Sequence, residues 1–342
     1  MQSGERRTTL ADVAAEAGVS VALASIVIRG AAGAGAATRE RVLEVAQRLG
    51  YQPDSRARLL RSVRTRLLGV VFDVRHPFHT DLLTGLYDAA GAVGYELTLS
   101  AVTPRRDERT AIGGLLQDRC EALILFSPRS RTADLAALAA RLPVVAMMRT
   151  VRQRAVDVVR TDDTRGSELA VDHLVDLGHR RIVHIDGGAL PGAAERRRGY
   201  QDAMRRHDLG DLIRVIPGGS GEDDGARAAE RLLPDPPTAV TVFNDLSATG
   251  LLDVLRGHGH PVPGGGGQRF HGGVSVVGYD DSSFSRLAHI NLTTVAQDVA
   301  ALAAGAVRRA VARIEGTDVE HREVVIEPRL IIRGTSGPAV PG

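Results

Sequence analysis

The chain has 342 residues, enough for two or three domains, and is 43% hydrophobic, 3% aromatic and free of tryptophan. No run approaches the roughly 20 apolar residues of a membrane helix, the opening MQSGERRTTLADV lacks the apolar core of an export signal, and the single Cys120 excludes an internal disulfide, so a cytoplasmic chain with no membrane partner is expected. All 43 basic residues are arginine and unevenly spread, 11 against 6 carboxylates in residues 1–66 and 32 against 35 in the rest, which makes a basic head on a faintly acidic body.

Residues 8–30, TTLADVAAEAGVSVALASIVIRG, read as two short helices around a tight turn. Thr9 caps the first, with Asp12 three residues on as its reciprocal partner. Leu10, Val13, Ala14 and Ala17 recur at helical spacing, and Gly18 supplies the turn. Ser20 caps the second helix, which turns Leu23 and Val27 inward and Val21, Ala22, Ser25 and Ile26 outward. That is helix-turn-helix spacing, in which the second helix enters a DNA major groove. Residues 36–51 form a third amphipathic helix through Val42, Val45, Ala46 and Leu49, with Gly50 at its end.

This run resembles the N-terminus of the lactose-repressor (LacI/GalR) family of bacterial transcription regulators, T-x-x-D-V-A-x-x-A-G-V-S-x-x-T-V-S-x-V-L-N-G. Thr9, Asp12, Val13, Ala14, Ala17, Gly18, Val19, Ser20, Ser25, Val27 and Gly30 match it, and the match continues through TRERVLEVAQRLGYQP and recurs up to IIRGTS near residue 335. The resemblance implies an α/β protein: an all-α helix-turn-helix head over 1–52, a hinge helix or linker over 53–66, and a two-lobed effector-binding and dimerisation body over 67–342 like that of periplasmic binding proteins, with parallel sheets. It implies chain crossings between the lobes near Asp162, near Asn291 and near 321–324. It also implies a homodimer on pseudo-palindromic double-stranded operator DNA. The DNA-binding set would be Thr9, Ser20, Val21, Ala22, Ser25, Ile26, Arg29, Tyr51, Arg58 and Leu60. Leu60, in PDSRARLLR, holds the place of the family's minor-groove wedge, which kinks the duplex. Apolar Val21, Ala22 and Ile26 can touch thymine methyl groups but cannot pair with guanine or adenine edges. Either recognition rests on DNA shape, the linker and Arg29, or the chain is a two-lobed sensor with weakened specific DNA binding.

From Leu67 onward, apolar runs over 67–72, 95–101, 122–126, 143–148, 181–185, 238–243 and 274–279 alternate with helical patterns such as 79–93, 106–118, 164–178 and 246–258. Such alternation predicts parallel sheets covered by helices, with ligands at the strands' carboxyl ends. The resemblance places a small carbohydrate-like effector between the lobes, on Arg196 of ERRRGY, Asn244 of VFNDLSATG, Asp280 of VVGYDD and Gln297 of LTTVAQD, with Phe72, Asp73 and Phe78 walling the near lobe. Asp280 would accept from hydroxyls, Arg196 would donate a planar fork, and Asn244 would do both. Asn244 could equally cap the helix that follows it. His76 and Met148 stand where the family commonly has Asn and Asp.

No cofactor, metal or catalytic residue is expected. His258 and His260 lack accompanying carboxylates or cysteines. The glycine-rich run 261–273 lacks the Lys–Ser/Thr ending of a phosphate loop and reads as an insertion in a surface loop. After IIRGTS only GPAVPG follows, with no leucine heptad to build a tetramer, so a dimer is expected.

Overall fold

A computed structural model describes residues 8–28, 30–51, 64–260, 262–263, 273–317, 319 and 321–339. Arg29, Arg58 and Leu60, and most of the glycine-rich run, lie outside the described residues. The chain forms two compact units, Met1–Thr65 and Arg66–Gly342.

Among its described residues the first unit holds three helices: α1 (Leu10–Glu16), α2 (Val21–Ile28) and α3 (Ala36–Arg48). Asp12 N–H donates to the Thr9 hydroxyl at 3.3 Å, and Thr9 N–H donates back to the Asp12 carboxylate at 2.8 Å. These reciprocal bonds satisfy two donors that a helix start otherwise leaves unpaired. Gly18, at φ +65°, lets the chain reverse, and α1 and α2 meet at 106°. Ser20 accepts from Leu23 N–H at 3.1 Å and starts α2. Val13, Ala14, Ala17, Ala24, Val27, Val42, Val45 and Ala46 close the small core. Ala24, with Val27 three residues on, takes the inward position expected of Leu23, which stays half-buried.

In the second unit the chain runs β1 (Leu67–Asp73), α4 (Pro77–Ala92), β2 (Glu96–Val102), α5 (Glu108–Gln117), β3 (Ala122–Phe126), α6 (Thr132–Ala139), β4 (Val144–Met147), β5 (Asp157–Thr161) and α7 (Asp163–Asp176). It continues β6 (Ile182–Asp186), α8 (Ala193–Arg206), β7 (Arg214–Pro217), α9 (Glu222–Leu232), β8 (Ala239–Val242), α10 (Asp245–Gly257), β9 (Ser275–Asp280), β10 (Thr293–Ala296), α11 (Val299–Ile314), β11 (Glu323–Ile326) and β12 (Arg329–Ile331). Two six-stranded sheets result, ordered β11-β5-β4-β3-β1-β2 and β12-β10-β9-β8-β6-β7. Among the described residues all strand pairs are parallel except β10 with β12. The seven apolar runs read from the sequence all form strands. Each sheet carries a hydrophobic core on both faces, and this is why its central strands read as unbroken apolar runs.

The chain crosses between the sheets three times. The first crossing is at Asp162, whose side chain accepts from Arg165 N–H and caps α7. The second is at Gln297 and Asp298, later than the expected position near Asn291, because 293–296 is a fully buried strand of the second sheet rather than a connection. Asp298 there caps α11. The third is at 327–328, beyond the expected 321–324, because Glu323–Ile326 pairs in register with Val158–Thr161 of the first sheet. Among the described residues no single helix is long and apolar enough to cross a membrane.

Candidate functional site

The carboxyl ends of both parallel sheets face one cavity of about 780 Å³. Its first-lobe wall comes from the ends of β1, β3 and β4, with Phe72, Asp73, Phe126 and Met148, and from the start of α4, with His76 and His79. Its second-lobe wall comes from the loops after β6, β7 and β8 and from the end of β9, with Gly187, Ser220, Phe243 and Asp280. Gln297, at the second crossing, lines the floor.

Arg196 sits in the first turn of α8 and is 6% exposed. Its Nε donates to Asp163 at 2.8 Å and its Nη1 to the Phe243 carbonyl at 2.5 Å. The guanidinium lies 3.6 Å from the centre of the Tyr279 ring. Burial works against its charge, but Asp163, Tyr279 and Asp280 outweigh that and hold its pKa above the ordinary value. The fork is thus fixed on one edge, and its Nη2 stands 3.9 Å from Asp280, too far for a hydrogen bond. A ligand hydroxyl can bridge them from the cavity side, accepting from Arg196 and donating to Asp280.

Asp280 ends β9 in the left-handed region, at φ +116°, a conformation that costs a non-glycine residue energy and is kept where it aims a side chain. Its Oδ1 accepts from Gln297 Nε2 at 2.7 Å, and Gln297 Oε1 accepts from Thr161 Oγ1 at 2.7 Å. A polar chain therefore runs from the end of β5 in one lobe, through the crossing, to β9 in the other. Burial raises the Asp280 carboxyl well above its ordinary value. Asp245, fully buried behind it, accepts from Ser282 N–H at 2.8 Å and Thr294 Oγ1 at 2.6 Å. Burial, over the opposing pull of those bonds, pushes Asp245 up to about 7.

Of the residues expected at the cleft, Phe72, Asp73, Arg196, Asp280 and Gln297 line it and two do not. Phe78 is a core residue of the first lobe, 1% exposed. Pro77 opens α4 two residues before the expected start at 79, which turns Phe78 under the sheet. Asn244 is buried and spends its amide on structure. Its Oδ1 accepts from Ser247 N–H at 2.9 Å as the cap of α10, and its Nδ2 donates to the Ser220 carbonyl at 3.1 Å. Asp73 does line the cavity, but Arg75 takes both carboxylate oxygens, the nearer contact being 2.8 Å. Partial burial opposes its charge, yet these bonds hold its carboxyl below the ordinary range.

Sequence reasoning missed the roles of Asp163, Thr161, Asp245 and His79, and marked His76 only as standing where the family commonly has Asn. The His76 and His79 rings stack at 4.5 Å, and His79 meets Phe126 edge-on at 5.2 Å. Burial, then the charge of Arg196, lowers His76 to about 4; burial, then His76, lowers His79 well below its ordinary value. Both rings are uncharged at neutral pH. The advance signal for the pair was their i, i+3 spacing at the end of an apolar strand.

In the head, Val21 is 49% exposed, Ala22 is exposed, and Ser25 and Ile26 are half-buried. Thr9 and Ser20 are exposed and engaged as caps. Tyr51 packs half-buried against the head core. Of the four residues expected to face outward on α2, Val21 and Ala22 are the exposed pair, and both are apolar.

Comparison with known proteins follows the same division. A family model described as bacterial regulatory proteins, lacI family, matches residues 9–54, and one described as a periplasmic binding protein-like domain matches 171–336. The HTH-type transcriptional regulator GalR of Salmonella typhimurium is 32% identical over 332 residues, covering 95% of each chain. The crystal structure of a LacI transcriptional regulator from a Rhodococcus species is 46% identical, with a TM-score of 0.75 over 80% of this chain and 99% of that one. The lac repressor dimer bound to operator and the anti-inducer ONPF is 26% identical, with a TM-score of 0.79 over 97% of this chain and 100% of that one.

Proposed function

The chain belongs to the lacI family of bacterial regulatory proteins, and from that premise we propose that it is a repressor whose operator affinity is set by a small hydroxylated effector held between the lobes of its body. The head, proposed as 1–52, reads operator DNA through Val21, Ala22, Ser25, Ile26 and Arg29. The linker, proposed as 53–66, adds Arg58 on phosphate and Leu60 as a minor-groove wedge. The body, proposed as 67–342, binds effector at Arg196, Asp280 and Gln297. We assign the cleft to binding rather than catalysis, and the protein to the cytoplasm, where its operator is.

The observation that carries this reading is the capped, right-angled pair α1–α2 with α2 presenting its outward face, in one chain with a two-lobed cleft. We propose the dimer face on α4, the turn after it and edge strand β2, a choice supported by the exposed apolar side chains of Tyr87, Val93 and Leu99. Two heads then meet the two halves of a pseudo-palindrome. Coupling follows from the Thr161–Gln297–Asp280 chain. An effector that competes for Asp280 acts on the crossing itself, and by whatever factor it changes DNA affinity, DNA changes effector affinity by the same factor.

The test is selection of bound sequences from random DNA by the full chain, followed by anisotropy on the winning site. A palindromic consensus, bound far more tightly than scrambled DNA at fixed salt, is the expected outcome. Leu60→Ala should reduce specific but not non-specific affinity. No consensus, or equal specific affinity for that variant, would overturn the assignment of head and linker respectively.

A further inference from the structure

The cleft has two chemically different halves. One is compact and polar: the Arg196 fork, the free oxygen of Asp280 and the Gln297 amide, held by Asp163 and Thr161. The other is flat and apolar. The chain has only 6 phenylalanines, yet Phe72, Phe126 and Phe243 all line this one cavity. Met148 joins them at φ +56°, a left-handed position that places a thioether where a carboxylate would have offered another hydroxyl acceptor.

The stacked imidazoles complete that half. Asn244 Nδ2, a donor only, stands 3.5 Å from His76 Nε2, so the ring proton belongs on Nδ1. His76 Nδ1 is buried and has no hydrogen-bond partner. With Nδ1 buried, what the two stacked rings offer a ligand is flat surface beside the aromatic walls. The cavity, at about 780 Å³, has room for a ligand well beyond a single sugar ring. A bare polyol would satisfy the polar half and leave the aromatic half facing water.

We propose that the effector is bipartite: a hydroxylated ring at Asp280, Gln297 and Arg196 joined to a flat aromatic group against Phe72, Phe126 and Met148. Nucleosides and aryl glycosides share this chemistry. The inference rests on the cleft being the effector site, as proposed above.

The experiment is calorimetry on the full chain with matched probes. Adenosine is compared with ribose, and the 4-nitrophenyl β-D-glucoside and β-D-galactoside with their methyl glycosides. At least one flat-group probe should bind about tenfold or more tighter than its plain partner. Phe72→Leu should narrow that gap by weakening the flat-group probe more than its plain partner, and Asp280→Asn should weaken both. A gap for adenosine alone identifies the nucleoside class, and one for the nitrophenyl glycosides alone the aryl glycosides. Equal binding of plain and flat-group partners, or no binding by any flat-group probe, overturns the proposal. A plain sugar whose binding is lost in Asp280→Asn leaves the cleft reading standing without it. Binding that ignores Asp280→Asn overturns the cleft reading itself.

Discussion

Removing the Arg196 side chain should cost the body about 3–5 kcal/mol at pH 8, the range for breaking a buried ion pair by deleting one partner. The structure sets that scale. The Arg196 and Asp163 side chains are 7% and 6% exposed, so solvent screens little of the loss. Arg196→Ala strands the Asp163 carboxylate and the Phe243 carbonyl together, and empties the stack on Tyr279. Burial already raises the Asp163 carboxyl, and without Arg196 it rises further. It can then shed its charge by taking a proton, so the cost should be smaller at pH 6 than at pH 8. The double variant Arg196→Met with Asp163→Leu removes both charges and should recover most of the loss, while restoring no effector affinity. Urea unfolding followed by far-ultraviolet circular dichroism at the two pH values measures all of this. A single-variant loss under about 1 kcal/mol at pH 8, or a double variant no better than the single, would refute the reasoning.

Three further outcomes are expected. Asp245 carries a folded pKa of about 7 against about 3.9 in the unfolded chain, so the folded state binds the extra proton between those values and stability from this group falls as pH rises through 7. His76 and His184, lowered by burial to about 4 and about 3, act in the opposite sense below pH 6.5, so the effect is read as the parent minus Asp245→Asn difference in unfolding free energy from pH 8 to 5, and a flat difference counts against a protonated Asp245. A Cβ on Gly187 would lie 2.5 Å from the Phe243 ring, so Gly187→Ala should cost about 1–3 kcal/mol of stability and narrow the cleft, and unchanged melting and ligand affinity would show that Phe243 is free to move. Ile26→Arg adds a guanine-reading fork to an apolar face and should change the selected DNA consensus; an unchanged consensus would take Ile26 out of the reading surface.

The central strands were legible because burial on both faces leaves an unbroken apolar run, as in ALILF for β3. The strands missed, β5, β7, β10, β11 and β12, are short, and several carry charges whose partners are distant in sequence. Asp157 opens β5 facing Arg313 at 2.8 Å, and Arg160 meets Glu323 at 2.7 Å, pairings 156 and 163 residues apart that no local window contains. The site divides likewise. Arg196 and Asp280 stood out by motif. Thr161, Asp163 and Asp245 act only because three strand ends converge, and as isolated residues they read as helix caps or turn residues. Asn244 was legible both ways, and the cap claims its oxygen.

The three crossings leave neither lobe continuous along the chain. The first lobe, though it begins at Leu67, is finished only by α11 and β11. Leu302, Ala303, Ala306 and Val307 of α11 cover the face made by Val70, Ile124 and Val145. A ribosome that has delivered the first five strands has therefore delivered five of the six strands of that lobe, with an oily face open and the β5 edge unpaired until residue 326 has left the exit tunnel. Throughout synthesis of the second lobe the first must be sheltered by chaperones or by its own loose collapse. A stop codon anywhere between 163 and 298 would yield an aggregating fragment rather than a smaller working protein, and a protein-engineering cut meant to isolate one lobe would have to splice two distant segments together.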